Sequence, residues 1–73
     1  MKIQPDLVEE ARIYNAIGSI HAKRGDFAVA IEITTRALKL VEDTTDHDVI
    51  AAIDKNLGNY YLRTRNVDRG KEY

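Results

Sequence analysis

Apolar residues recur at steps of three and four along almost the whole chain, the period of an α-helix with one buried face. Asp6 suits the positive end of a first helix, whereas Lys23 and Arg24 suit its negative end. Gly25 can then adopt the left-handed conformation that stops a helix. The pattern predicts helix one over residues 6–24, with an apolar face made of Leu7, Ala11, Tyr14, Ile17, Gly18 and His21.

A second periodic run follows directly. Asp26 is a residue type that caps helix N-termini, so we expect helix two over residues 27–42. Its apolar face consists of Phe27, Ala30, Ile31, Thr34, Ala37, Leu38 and Val41.

The polar stretch 43–48 interrupts the periodicity. Thr45 with Asp48 resembles a capping box, in which each side chain bonds the backbone N–H of the other residue. Helix three is therefore expected over residues 46–64. Asn66 can cap a fourth helix at Val67, but the residues up to Tyr73 give that helix only about two turns, too short to hold alone. The apolar face of helix three would be Val49, Ile50, Ile53, Leu57, Tyr60 and Tyr61.

Composition narrows the class of protein. The chain has 73 residues, 44% of them hydrophobic and 32% charged, with a net charge of -1. This is the balance of a globular chain, and it lacks the basic excess that phosphate binding usually needs, so neither membrane nor direct nucleic acid binding is expected. The chain has no cysteine and begins without the apolar core of a signal peptide, so the cytoplasm is the expected compartment.

The chain carries an internal repeat. A shift of 40 residues places Ala11 on Ala51 and Gly18 on Gly58. A helical hairpin repeated at this scale indicates a helical solenoid. Further matches are Ile13 with Ile53, Ile17 with Leu57, Lys23 with Arg63, Asp26 with Asn66, Phe27 with Val67, and Ala30 with Gly70.

The repeat resembles the tetratricopeptide repeat. The first copy carries Tyr14-x-x-Ile17-Gly18-x-x-His21, Gly25-Asp26-Phe27-x-x-Ala30 and Ala37-Leu38-x-Leu40. The second copy carries Leu57-Gly58-x-x-Tyr61 and Asn66-Val67-x-x-Gly70. The resemblance implies a single all-α domain over residues 1–73, built as antiparallel helix hairpins of a right-handed solenoid. Repeat one would span residues 8–42 and a partial repeat two residues 46–73.

The repeat also departs from the family pattern. Thr34 stands where the family often has an aromatic residue, and Glu42 stands where it often has proline. The spacing of 40 residues exceeds the usual length of about 34. This longer spacing resembles tetratricopeptide arrays of bacterial signalling regulators.

Two repeats are fewer than a stable array usually needs. We therefore expect a fragment of a longer protein that self-associates as a homo-oligomer or a domain-swapped dimer. The alternative is a complete small four-helix protein.

In the tetratricopeptide family, the first helix of each repeat lines a concave surface that binds extended peptides. The resemblance thus implies a peptide-binding site on helices one and three. Asparagine can bond both groups of a peptide backbone, and cationic side chains can hold a carboxylate. Lys55 with Asn59 resembles a carboxylate clamp used by some family members, and the alternative is an ordinary solvated face. The expected site residues are Arg12, Asn15, Ser19, Lys23, Lys55, Asn59 and Arg63.

Other chemistry is not expected. The chain has no glycine-rich phosphate loop, cysteine nucleophile or serine elbow, so we expect neither an enzyme nor a cofactor. His47 has no partner at ligand spacing, and the aspartates of stretch 43–48 suit capping better than calcium. Packing is the expected role of His21, Tyr60, Tyr61 and Tyr73. The predicted function is a peptide- or protein-binding module, and the alternative is a structural self-association segment without a peptide ligand.

Overall fold

A computed structural model describes the backbone of residues 6–71 and the side chains of residues 6–65. It contains three α-helices and, within those residues, no strand, which confirms the all-helical prediction. Tyr73 and the two ends of the expected 1–73 domain lie outside the described residues. The helices are α1 (Leu7–Lys23), α2 (Phe27–Val41) and α3 (His47–Lys71).

The first two helices form an antiparallel hairpin whose ends follow local rules. The Asp6 carboxylate accepts a hydrogen bond from the Glu9 N–H at 3.1 Å and so caps α1. Gly25 has φ +86°, and its N–H donates to the Ala22 carbonyl at 3.0 Å, which ends the helix as predicted. Asp26 occupies the N-cap position of α2, although its side chain makes no cap hydrogen bond.

Small residues let the two helices of this hairpin approach closely. Gly18 is buried, and a Cβ at this position would press on the Thr34 hydroxyl and lie 3.2 Å from the Ala30 carbonyl oxygen. Ala11 and Ala37 are fully buried. The predicted contact through Gly18 is therefore present.

Helix α2 lies between α1 and α3 and packs against both, whereas α1 and α3 contact each other less. The core shared by the helices includes fully buried Val41 and Ile53. Further along α3, buried Tyr60 packs on Phe27 at the start of α2, with ring centroids 6.4 Å apart. The apolar face predicted for helix two is confirmed, since every residue of it is buried or half-buried.

The expected fourth helix does not form. Helix α3 runs without a break from His47 to Lys71, so the prediction that Asn66 caps a new helix at Val67 is wrong. In the first copy the break depends on Gly25, whose equivalent 40 residues later is Arg65. A left-handed turn is costly for arginine, and the helix continues.

The start of α3 also differs from the expectation. Asp46, not Thr45, supplies the cap, because its carboxylate accepts the Val49 N–H at 3.3 Å. The Thr44 hydroxyl in turn donates to the Val41 carbonyl at 2.7 Å and fixes the preceding turn. No bond of the predicted Thr45–Asp48 capping box is made among the described residues.

Four residues expected to be buried are instead exposed. Leu7 is in the first turn of α1, and Ile17 is 37% exposed further along the same helix. Gly58 and Tyr61 lie on a side of α3 that no other described helix covers, and nothing lies within 4 Å of a Cβ built at Gly58. The predicted packing role of Tyr61 and the predicted close helix contact at Gly58 are therefore wrong.

Within residues 6–71, no helix combines the length and the apolar character that crossing a lipid bilayer requires.

The two helical glycines give a matched prediction. Gly18→Ala should lower the free energy of unfolding by about 1–3 kcal/mol, because the methyl group overlaps a packed helix. Gly58→Ala should raise it by roughly 0.5–1 kcal/mol, because alanine favours a helix and has free space there. Urea unfolding followed by circular dichroism measures both. Equal effects of the two substitutions would contradict the α1–α2 contact.

Candidate functional site

An open groove of about 680 Å³ lies between the last turns of α1, the start of α2 and the middle of α3. The three helices therefore all contribute to one depression on the surface. Its lining residues are Ser19, Ala22, Lys23, Phe27, Asn56, Asn59, Tyr60, Leu62 and Arg63.

Four residues of the expected peptide site line this groove. Ser19 and Lys23 lie on α1, and Asn59 and Arg63 lie on α3. The 40-residue shift relates Ser19 to Asn59 and Lys23 to Arg63. Equivalent positions of the two repeats thus line one groove. On each of the two helices, a hydrogen-bonding residue lies one turn before a cation.

The other three expected residues are not part of the lining. Arg12 and Lys55 are exposed and lie outside the groove, and Asn15 reaches it only through Asn56. A four-residue step along an α-helix turns the side chain by about 40°, because the helix has 3.6 residues per turn. Lys55 therefore points about 80° away from Arg63. The predicted pairing of Lys55 with Asn59 in a carboxylate clamp stays a prediction, although Lys55 does not line the groove.

A direct side-chain hydrogen bond joins α1 to α3. The Asn56 amide donates from Nδ2 to Oδ1 of Asn15 at 2.9 Å, and both residues are half-buried. No other side-chain hydrogen bond involves Asn56 among the described residues, so its own Oδ1 remains an acceptor at the groove. The bond sets the position of one lining residue by means of the facing helix.

Five lining residues were not predicted as site residues: Ala22, Phe27, Asn56, Tyr60 and Leu62. The signal for part of this set is present in the sequence. Asn56, Asn59, Tyr60 and Arg63 follow the spacing of one helix face, whereas the four-residue steps Lys55, Asn59 and Arg63 leave out Asn56 and Tyr60. Phe27 enters the groove because the hairpin turn brings the start of α2 beside the end of α1, which spacing within one helix does not reveal.

The charged part of the lining is cationic. Lys23 and Arg63 are both exposed, and no acidic residue lines the groove. Among residues 6–65 the one ion pair is Arg36 with Glu32, at 3.8 Å and outside the lining. The two groove cations are therefore available to an anionic group.

The polar turn before α3 has a structural explanation. Asp46 caps the helix, and the other acidic residues of that turn are exposed. Within the part of the chain that the structure describes, no three acidic or histidine side chains are grouped so that they could hold a metal ion.

Comparisons of the chain with models of protein families, with curated proteins and with solved structures give no match. The groove and its lining are therefore the basis on which a function can be inferred.

The Asn15–Asn56 bond can be measured by a double-mutant cycle. Asn15→Ala and Asn56→Ala should each destabilise the fold, and the double variant should lose less than the sum. The expected coupling is about 0.5–1.5 kcal/mol, the usual net value of such a bond. Urea unfolding of the four proteins gives this number. Additive losses would show that the two side chains do not interact.

Proposed function

We propose that this chain is a protein- or peptide-binding module of the tetratricopeptide type, which holds an extended peptide in the groove between α1 and α3. The order of a close-packed hairpin followed by a third helix supports this architecture. The described chain would then comprise one repeat, made of α1 and α2, and the first helix of the next repeat, α3. Helix α3 continues past the position at which the second repeat would turn into its own second helix.

The observation that carries the proposal is the lining of the groove. Lys23 and Arg63 can together hold a carboxylate, either the C-terminus of a peptide or an acidic side chain. Asn56 and Asn59 offer amides that match the N–H and C=O of an extended backbone.

The groove also has an apolar component that a peptide side chain can occupy. Phe27 is half-buried and Tyr60 is buried, and their rings form a tilted pair in the lining of the groove. Leu62 is 58% exposed at the same site. A ligand with one apolar residue near an acidic group would use both components.

The expected affinity is modest. Charge pairs that remain exposed to water contribute only about 0.2–1 kcal/mol each. The groove is open, so the hydrogen bonds compete with solvent. We expect dissociation constants of roughly 10–500 μM, in the range of about 4–7 kcal/mol of binding free energy.

A bacterial regulator is our proposal for the parent protein, with this module in its sensor region. Its support is the 40-residue repeat, longer than the usual unit. Cytoplasmic location is likewise proposed, on the absence of cysteine.

Self-association without a peptide ligand is the second candidate function. Its support is the exposure of large apolar side chains on α1, with Ile13 52% and Ile20 53% exposed. Sedimentation separates the candidates, because a dimer that ignores every peptide favours assembly.

A peptide library with varied acidic C-termini tests the groove. Binding followed by amide chemical shifts should perturb residues of α1 and α3, and the double variant Asn59→Ala with Arg63→Ala should raise the dissociation constant at least about tenfold. Lys55→Ala is the matched control, since this exposed cation of α3 lies outside the lining, and its effect should stay below about twofold.

Affinity should also fall as salt is added, since the cations at the groove are exposed. Binding that the double variant leaves unchanged, or that the Lys55→Ala control weakens equally, would refute the groove as the peptide site.

A further inference from the structure

Helix α1 carries an apolar stripe that no other described helix covers. Ile13, Ile17 and Ile20 follow one another at steps of four and three, so they share one helix face. Their exposed fractions are 52%, 37% and 53%. We call these three residues the isoleucine stripe. It points away from α2, whose contacts are made by the face of Ala11 and Gly18.

The internal repeat relates the isoleucine stripe to equivalent positions on α3 that pack against another helix. The 40-residue shift relates the three isoleucines to Ile53, Leu57 and Tyr60 of α3. On α3 these positions are packed, with Ile53 fully buried and Tyr60 7% exposed. The isoleucine stripe is thus the equivalent of a helix-packing face, left open on α1.

Charge is distributed asymmetrically along the same helix. Glu9 and Glu10 lie in the first turn of α1, and Lys23 and Arg24 lie at its other end. All four side chains are exposed, and none of them forms an ion pair among the described residues. The acidic and basic ends are separated by about 21 Å, at a rise of about 1.5 Å per residue.

We propose that the isoleucine stripe binds the isoleucine stripe of a second copy of this chain, with the two α1 helices antiparallel. In this arrangement Ile13 of each copy faces the partner's Ile20, and the stripe is its own complement. Glu9 and Glu10 of each copy then lie beside the basic end of the partner's α1. A parallel pairing would instead place like charges together at both ends.

The helix of the second copy that packs on the isoleucine stripe is α1 and not α2. The apolar face of α2 is already occupied between α1 and α3, with Ala30, Thr34, Ala37 and Val41 fully buried. The remaining face of α2 carries Glu32, Arg36 and Lys39, all exposed. The isoleucine stripe of another copy is therefore an apolar helix face that can pair without unfolding the hairpin.

The apolar contact of the dimer is separate from the proposed peptide groove, because none of the three isoleucines lines that groove. Lys23 is the residue that the basic end of α1 shares with the groove. A single helix pair buries less area than a standard protein interface of about 800 Å² per partner. The dimer should therefore be weak and depend on concentration.

Sedimentation equilibrium of the full chain over a range of concentrations tests the apolar contact. The wild-type chain should reach a dimer, and Ile13→Glu with Ile20→Glu should raise the dimer dissociation constant at least about tenfold. Val29→Glu with Tyr61→Glu is the matched control, because these residues are 40% and 57% exposed on other helices. The control should dimerise as the wild type does, and circular dichroism confirms that both variants fold.

A charge exchange tests the orientation. Glu9→Lys with Glu10→Lys makes both ends of α1 basic, and Arg24→Glu in a second variant makes the C-terminal end less basic while the other end stays acidic. Each variant alone should dimerise several-fold more weakly than the wild type if the helices are antiparallel. A parallel pairing would instead leave the Glu9→Lys with Glu10→Lys variant unchanged and strengthen the Arg24→Glu variant. An equimolar mixture should recover dimer as the mixed species, because the charges act between copies. Reversed charges can also lower the stability of α1 itself, but that loss is present in the single variants and in their mixture alike. It therefore cannot explain why the mixture recovers dimer.

Three outcomes would overturn the proposal. The wild type could remain a monomer at every concentration, the isoleucine double variant could dimerise like its control, or the charge variants could dimerise as well alone as the wild type or recover nothing when mixed. Peptide binding by the isoleucine double variant is a separate measurement: if binding persists without a dimer, the groove stands independently of this interface.

Discussion

The close packing of α1 on α2 is the contact on which the rest of the structure depends. Gly18 has no side chain where Thr34 and the Ala30 carbonyl approach it, and buried alanines continue the same seam. A short helix pair buries little apolar area and therefore depends on close packing. A small distance between the two backbones raises the number of van der Waals contacts that each residue makes. The close approach also fixes the position of the α2 start, and with it Phe27.

The groove follows from that seam and from the placement of α3. Helix α3 packs on α2 through Ile53 and Tyr60, which brings its polar side beside the end of α1. The Asn15–Asn56 bond then joins α1 to α3 directly. Lining residues from three helices converge because one helix, α2, holds the other two, and this supports a binding role that uses the shared depression.

The sequence predicted most of the fold, because apolar period and helix-stop glycine act locally. The first two helices begin and end within a residue of their predicted bounds. The end of α3 differs from the prediction because Arg65 stands where a left-handed helix stop needs glycine, although Asn66 is a good capping residue. Of the residues that line the groove, the repeat predicted Lys23 and Arg63. Phe27 lines it because of how the helices pack in three dimensions, and helical spacing within one helix does not predict that packing.

The α1–α2 seam can be observed directly by nuclear Overhauser spectroscopy of the isotope-labelled chain. The account predicts strong cross-peaks from the Gly18 α-protons to the side chain of Thr34 and to Ala30. It also predicts that the α-protons of Gly58 show cross-peaks only to protons of α3. A well-folded chain that lacks the Gly18 cross-peaks would contradict the close contact, and with it the arrangement of helices that forms the groove.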